Sequence, residues 1–177
     1  MRLFIAVPAD DLVKAAAAAA VERLRRAGGD YRWVDPRDMH TTLRFLGETP
    51  EGDLPVIEAL MRRAAAATRP FELVFGGGGG FESLDDPRVV WVGLEEGAAE
   101  MEALAGLLGR DEPRPFSAHL TLGRRRRTPA SPEFLAALRA EPALALRRPV
   151  DRVSLYASRP APFGHAYEIL VDVPLGS

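Results

Sequence analysis

The chain contains no cysteine. That absence excludes a disulfide framework, a thiol nucleophile and a thiolate-bound zinc together. Lysine is nearly missing as well: Lys14 is the only one, so the positive charge is almost entirely guanidinium. Arginine differs from lysine in pairing with phosphate through two parallel hydrogen bonds. Histidine is scarce, with three copies. No apolar run approaches the ~18 residues that a membrane span needs. The apolar stretch at the N-terminus is too short for a signal-peptide core and is interrupted by Pro8. The expected compartment is therefore the cytoplasm, with no membrane partner. A His-Glu-x-x-His zinc motif is lacking, and no third histidine stands in a ligand position, so a metal-dependent site is not expected. No Gly-x-Ser-x-Gly elbow supports Ser/His/Asp hydrolysis. Glycines 76–80 are not followed by Gly-Lys-Ser/Thr, which argues for a flexible turn over a phosphate cradle.

At 177 residues, with hydrophobic residues at 47%, the chain can bury a substantial core as one domain or two closely packed lobes. A net charge of −2 means that the molecule as a whole does not attract nucleic acid. Its basic character is local, above all in the run Arg124-Arg125-Arg126-Arg127. Arg125, Arg126 and Arg127 read as a solvated loop.

Hydrophobic periodicity predicts strands at 2–7, 31–34, 39–46, 71–75, 88–94, 118–124, 150–156 and 167–173. Helices are predicted at 9–27, 50–68, 96–108 and 132–140. The alanine run 15–20 favours a helix and close packing. Acidic residues open the first helix and Arg23, Arg25 and Arg26 close it, as the helix dipole favours. A loop holding Pro160, Pro162, Gly164 and His165 joins the last two strands. Several strands adjoin directly, so mostly antiparallel α+β sheets are expected in place of a doubly wound parallel sheet.

The chemistry concentrates in two tetrapeptides, His40-Thr41-Thr42-Leu43 and His119-Leu120-Thr121-Leu122. Residues two apart on a strand share a face. His40 therefore projects beside Thr42, and His119 beside Thr121, while Leu43 and Leu120 turn towards a core. Each strand pairs a proton-transfer group with a hydroxyl donor. An imidazole with a pKa near 6.5 suits acid–base work at neutral pH. Arg124 follows His119 by five residues and is the arginine best placed to contact a phosphate or stack on a base. Phe45 follows His40 by five and could serve as a base platform. His165 matches neither motif and is read as non-catalytic.

On these residues the chain resembles the two-histidine (2H) phosphoesterases, and within them the LigT-like RNA 2′,3′-cyclic phosphodiesterases. Their signature is two His-x-Thr-x tetrapeptides, one in each half. The resemblance extends over Arg2–Pro8, Trp33-Val34-Asp35-Pro36, Arg44-Phe45-Leu46-Gly47-Glu48, Leu155–Pro160 and the closing Tyr167–Leu175. Ala118 departs from it, since family members often carry proline before the second motif, and the approach to that strand should be looser for it. The resemblance implies two pseudo-symmetric lobes whose antiparallel sheets line a central groove, with helices outside. It also implies a monomer without metal or cofactor, acting on RNA or oligonucleotides that end in a 2′,3′-cyclic phosphate. The product would be a 2′-phosphomonoester, with His40 as acid and His119 as base. The two motifs are nearly equivalent, so the residues alone leave that assignment open. The reverse reaction, 2′-5′ RNA ligation, and a non-catalytic RNA- or nucleotide-binding module are the alternatives.

Overall fold

The computed structural model describes residues 1–161 and 164–176. In chain order the elements are β1 (Arg2–Pro8), α1 (Asp11–Arg26), β2 (Tyr31–Trp33), β3 (His40–Glu48), α2 (Leu54–Ala66), β4 (Phe71–Phe81), β5 (Val89–Glu96), α3 (Ala98–Leu107), β6 (Leu120–Arg125), α4 (Pro132–Arg139), β7 (Arg147–Val150), β8 (Arg152–Ala161) and β9 (Gly164–Pro174). None of these helices is long and apolar enough to cross a membrane.

All nine strands join one antiparallel sheet in the order β7-β4-β5-β6-β3-β1-β8-β9, with β2 also on β6. The sheet has a seam. β3 meets β6 at a single registered pair, Thr41 with Leu120. On one side stand β3, β1, β8 and β9; on the other stand β6, β5, β4, β7 and β2. The halves repeat a pattern of strand, helix, motif strand, helix: β1-α1-β3-α2 and β5-α3-β6-α4. α2 lies on β8 and β9, and α4 on β4, each within its own half. α1 and α3 cross the seam, α1 reaching β6 and α3 reaching β3. This is an α+β architecture with peripheral helices on a mostly antiparallel sheet, as the order of elements predicts.

The core lies between the sheet and the helices. Leu3 and Ile5 of β1, Leu43 of β3, Leu120 and Leu122 of β6, and Val153 and Leu155 of β8 are buried in it. Val13, Ala17, Ala20 and Leu24 of α1, Met61 of α2 and Leu104 of α3 fill it from the helix side. Ala17 and Ala20 are fully buried, so the alanine run does bring α1 close to its neighbours. Asp10 caps α1 by accepting from the Val13 N–H at 3.0 Å, and Ser131 caps α4 through Phe134 at 3.2 Å.

Three segments differ from the sequence expectation. Glycines 76–80 form no flexible turn; they lie inside β4. Both faces of that strand are occupied. A Cβ at Gly78 would come within 2.9 Å of the Leu138 carbonyl oxygen, and one at Gly79 within 2.2 Å of the Trp91 ring. One at Gly80 would come within 2.5 Å of Pro87. Glycine here permits backbone to pass under backbone and indole, a use glycine has within strands. β7 was not expected. It is a short strand with Pro149 inside, tolerable because β7 is an edge of the sheet. Finally, the expected loop around residues 160–165 is the end of a hairpin: Pro160 pairs with His165, and Ala161 with Gly164. Pro162 lies outside the described residues.

Candidate active site

The seam determines the site. Thr41 and Leu120, opposite each other, both turn into the core, where they are 2% and 0% exposed. Carrying the register one residue to either side sets His40 across from Thr121, and Thr42 across from His119. Directly opposed residues share a face, so all four stand on the face away from the core. The two histidines occupy one diagonal and the two threonines the other. Diagonal neighbours in an antiparallel pair lie about 7–8 Å apart. Each histidine thus faces the other motif's threonine. Among the described residues, neither Thr42 nor Thr121 commits its hydroxyl to a protein partner.

Phe45 and Arg124 stand five residues beyond their histidines, an odd number that strict alternation would turn to the core. A bulge in each strand reverses this. Along β1 the partner register slips between Ile5, opposite Arg44, and Ala6, opposite Thr42, so Leu43 is the extra residue. Along β5 it slips between Val90, opposite Gly123, and Trp91, opposite Thr121, so Leu122 is the extra residue. Each bulge shifts the following residues by one face. Phe45 then shares its face with Phe4, 6.2 Å away between ring centres, and is 61% exposed. Arg124 emerges beside the histidines, and its charge acts on both. The structure brings together His40, Thr42, Phe45, His119, Thr121 and Arg124.

Both imidazoles are held in the same way. His40 Nδ1 lies 2.6 Å from the Asp38 carbonyl oxygen, and His119 Nδ1 lies 2.7 Å from that of Ser117. A carbonyl can only accept, so Nδ1–H donates in each ring and Nε2 is the nitrogen left for chemistry. Aromatic rings fix the planes. His40 sits 4.6 Å from Phe4, 5.5 Å from Tyr156 and 5.3 Å, edge to face, from Tyr167. His119 meets Phe81 edge to face at 4.7 Å and Trp91 at 6.1 Å.

Burial lowers the His40 pKa to about 4, with the charges of Arg124 and His119 adding to the effect. His119 is lowered as well, first by burial and then by Arg124. The Asp38 and Ser117 carbonyls act in the opposite direction. Both rings are therefore neutral at pH 7 in the free protein, with unprotonated Nε2. Burial and the Asp172 carboxylate raise Tyr156 to about 12, so it remains a neutral phenol.

Sequence reasoning did not reach several of these groups. The two carbonyls leave no trace, because every residue has one. Phe4, Tyr156 and Tyr167 looked like ordinary strand aromatics. Arg32 sits directly opposite Arg124 in β2 and is exposed; only long-range pairing reveals that. Arg125 turns the other way and is paired with Asp86. The Arg126 and Arg127 N–H groups are tied to Asp30 by bonds of 2.7 and 3.0 Å, with their side chains exposed. His165 is exposed near the end of the β8–β9 hairpin, its Nδ1 3.1 Å from the Ser158 hydroxyl. The second motif strand begins at Leu120, so His119 stands just ahead of it. Among the described residues no three His, Asp or Glu side chains are grouped as a metal ion would require.

The family model of the 2′-5′ RNA ligase superfamily matches residues 13–160 and so spans both motifs. An RNA 2′,3′-cyclic phosphodiesterase of Thermotoga maritima is 31% identical over 97% of this chain and 94% of its own length. One from Thermus thermophilus is 35% identical over 96% and 88%. A solved structure from Thermus thermophilus superposes with a TM-score of 0.79 at 33% identity, covering 99% of this chain and 98% of that one. The E. coli LigT structure in complex with 3′-AMP shares the fold, with a TM-score of 0.77 at 24% identity over 99% and 98%. Likeness across nearly the whole length, through both histidine strands, leads to one placement: the chain belongs to the 2′-5′ RNA ligase superfamily, as a LigT-like member of the two-histidine phosphoesterases.

Proposed function

We propose that the protein hydrolyses 2′,3′-cyclic phosphate ends of RNA to 2′-phosphomonoesters by acid–base catalysis between His40 and His119, without a metal. One observation carries this reading: the imidazoles share one open face across the seam, each with Nδ1 tied to a carbonyl and Nε2 free. Phosphate binding alone would be served as well by arginine. A pair of oriented imidazoles suits moving one proton off a nucleophile and another onto a leaving group.

In the proposed reaction the cyclic phosphate lies between the two Nε2 atoms. One neutral imidazole takes a proton from water as the water oxygen bonds to phosphorus. The P–O3′ bond breaks, and the other imidazole, protonated, gives its proton to the departing 3′ oxygen. The family resemblance makes His119 the base and His40 the acid. Thr42 and Thr121 donate to the non-bridging oxygens, and Arg124 offsets their charge. The low pKa values belong to the free protein. A phosphodiester anion against Arg124 cancels the charge that helps keep His40 neutral, so substrate binding favours loading the acid. Phe45 offers its exposed ring to a base. The site lies within a single two-lobed domain spanning residues 1–177, and the protein acts in the cytoplasm as a monomer. The family's description also favours a second reading, ligation, in which a ribose hydroxyl replaces water and the same steps run backwards.

The test is incubation with a short RNA ending in a 2′,3′-cyclic phosphate, with products identified by mass and phosphatase sensitivity. A 2′-phosphate product should accumulate, undiminished by excess EDTA. His40→Ala and His119→Ala should each lower turnover roughly a hundredfold or more. The double variant should lose less than the product of the two, since both groups serve one transition state. Wild-type turnover in both single variants would remove the histidines from the chemistry. Binding without turnover at any pH would leave a binding module, and loss of activity on chelation would overturn the metal-free mechanism.

A further inference from the structure

Arg32 and Arg124 are register partners across β2 and β6. Their neighbours fix the face they share. Tyr31 is buried, and Trp33 packs on the core over Gly123. Arg32 must therefore point away from the core, onto the face that the Leu122 bulge gives to Arg124. Like charges directly opposite one another on a sheet repel. Elsewhere the chain repeatedly joins its arginines to carboxylates, as in Arg37 with Asp35, Arg125 with Asp86 and Arg159 with Glu168. Among the described residues Arg32 and Arg124 have no such partner. Two exposed, unneutralised guanidiniums side by side form a place for a second anion.

The two arginines do not address the same point. Arg124 acts electrostatically on His40, His119 and Tyr167. Arg32 acts on Tyr167 and is absent from the groups that perturb either histidine. Arg32 stands beside Arg124 on β2, which pairs with β6 beyond the Thr41–Leu120 seam. An RNA entering with its 3′ end between the histidines has its next charge on the 5′ side of the terminal nucleoside.

We propose that Arg32 binds the phosphodiester on the 5′ side of the terminal nucleoside, and so sets a preference for oligonucleotides over cyclic mononucleotides. This rests on the reaction proposed above and names the part of the substrate beyond the reacting group. Arg32 is a binding residue in this role and touches no reacting atom.

The test compares a 2′,3′-cyclic mononucleotide with a tetranucleotide ending in the same group, for wild type, Arg32→Ala and Arg32→Lys across a salt series. A charge-assisted phosphate contact is worth about tenfold or more. Arg32→Ala should raise KM for the tetranucleotide by about that factor, at nearly unchanged kcat, and leave the mononucleotide within about twofold. The salt slope of tetranucleotide binding should fall by about 0.7, the single-strand value for one phosphate. Arg32→Lys should recover most of the salt slope and part of the KM, because it returns the charge without the fork. Arg127→Ala, an exposed arginine beyond β6, should change neither substrate. Equal losses on both substrates, or no loss on either, would overturn the proposal. Affinity for a tetranucleotide that already carries a 2′-phosphate, read by calorimetry, gives the same comparison without turnover. Failure of the wild type to open either cyclic substrate would count against the reaction itself; an unmoved calorimetric affinity in Arg32→Ala would count against Arg32.

Discussion

His40 is set among three aromatic rings, and that setting makes the fold sensitive to acid. Its folded pKa of about 4 lies below the unfolded value of 6.5. Above pH 6.5 both states are neutral there and the residue adds no pH dependence. Between 6.5 and 4 the unfolded chain binds a proton that the folded chain refuses, so stability falls as pH falls and levels off below 4. The full shift corresponds to roughly 3 kcal/mol at most. We expect the melting temperature of the wild type to drop across this window, and His40→Phe to flatten the drop; equal slopes in the two proteins would show that His40 is not the group responsible. In solution NMR, an inorganic phosphate or 2′-nucleotide ligand should move the His40 titration upward, since it supplies the charge that opposes Arg124. At this scale the sequence was most readable where chemistry needs a particular side chain. His40, Thr42, His119 and Thr121 could be read because spacing by two on a strand survives any tertiary arrangement. Arg32 could not, because its face depends on which strand it pairs with, nearly a hundred residues away. Arg124 and Phe45 were singled out by their distance from the histidines, but their parity pointed to the core. The bulges that correct it lie at Leu43 and Leu122, two leucines in ordinary strand sequence.

Between the residues and the whole, the strands and helices show where local signals mislead. Five glycines in a row have the lowest strand propensity of any run in the chain, yet they lie in β4 because α4, Pro87 and the Trp91 indole press on it. Propensity describes a segment alone; here the neighbours decide. Gly79→Ala should cost about 1–3 kcal/mol, the usual range for overpacking. It should also disturb the near-ultraviolet signal of Trp91 and, through that ring, slow the reaction at His119. Gly106→Ala is the contrast. Gly106 is inside α3 with nothing within 4 Å of an added Cβ. There the same substitution should raise stability by about 0.5–1 kcal/mol. Thermal melts of the two variants check both, and a neutral Gly79→Ala would show that β4 yields where the packing says it cannot.

At the scale of the molecule, element order was enough to give mostly antiparallel α+β architecture, because helices and directly joined strands leave strong periodic marks. What it could not give was the continuity of the sheet, which hangs on one residue pair, Thr41 with Leu120. A single pair has no sequence signature. It nevertheless makes the site nearly two-fold symmetric: each half contributes a histidine, a threonine opposite the other half's histidine, a carbonyl two residues before the histidine and a bulged leucine. The symmetry breaks five residues past each histidine, where one half carries a phenyl ring and the other a guanidinium.

An RNA end has a direction and a nearly two-fold site does not, so on the proposed reaction Phe45 and Arg124 would serve as the compass of the site. If they alone orient the terminal nucleotide, exchanging them as Phe45→Arg with Arg124→Phe asks the RNA to enter turned about. The turned RNA meets the same site with its halves exchanged: the 3′ oxygen still departs, His119 then serves as acid and His40 as base, and the product stays a 2′-phosphate. A substrate with sulfur in place of the bridging 3′ oxygen needs little help from an acid. It should restore turnover to His40→Ala in the wild-type background and to His119→Ala in the exchanged one. Restoration of His40→Ala in both backgrounds would place the sense of direction elsewhere, in the unequal walls of aromatic rings around the two imidazoles.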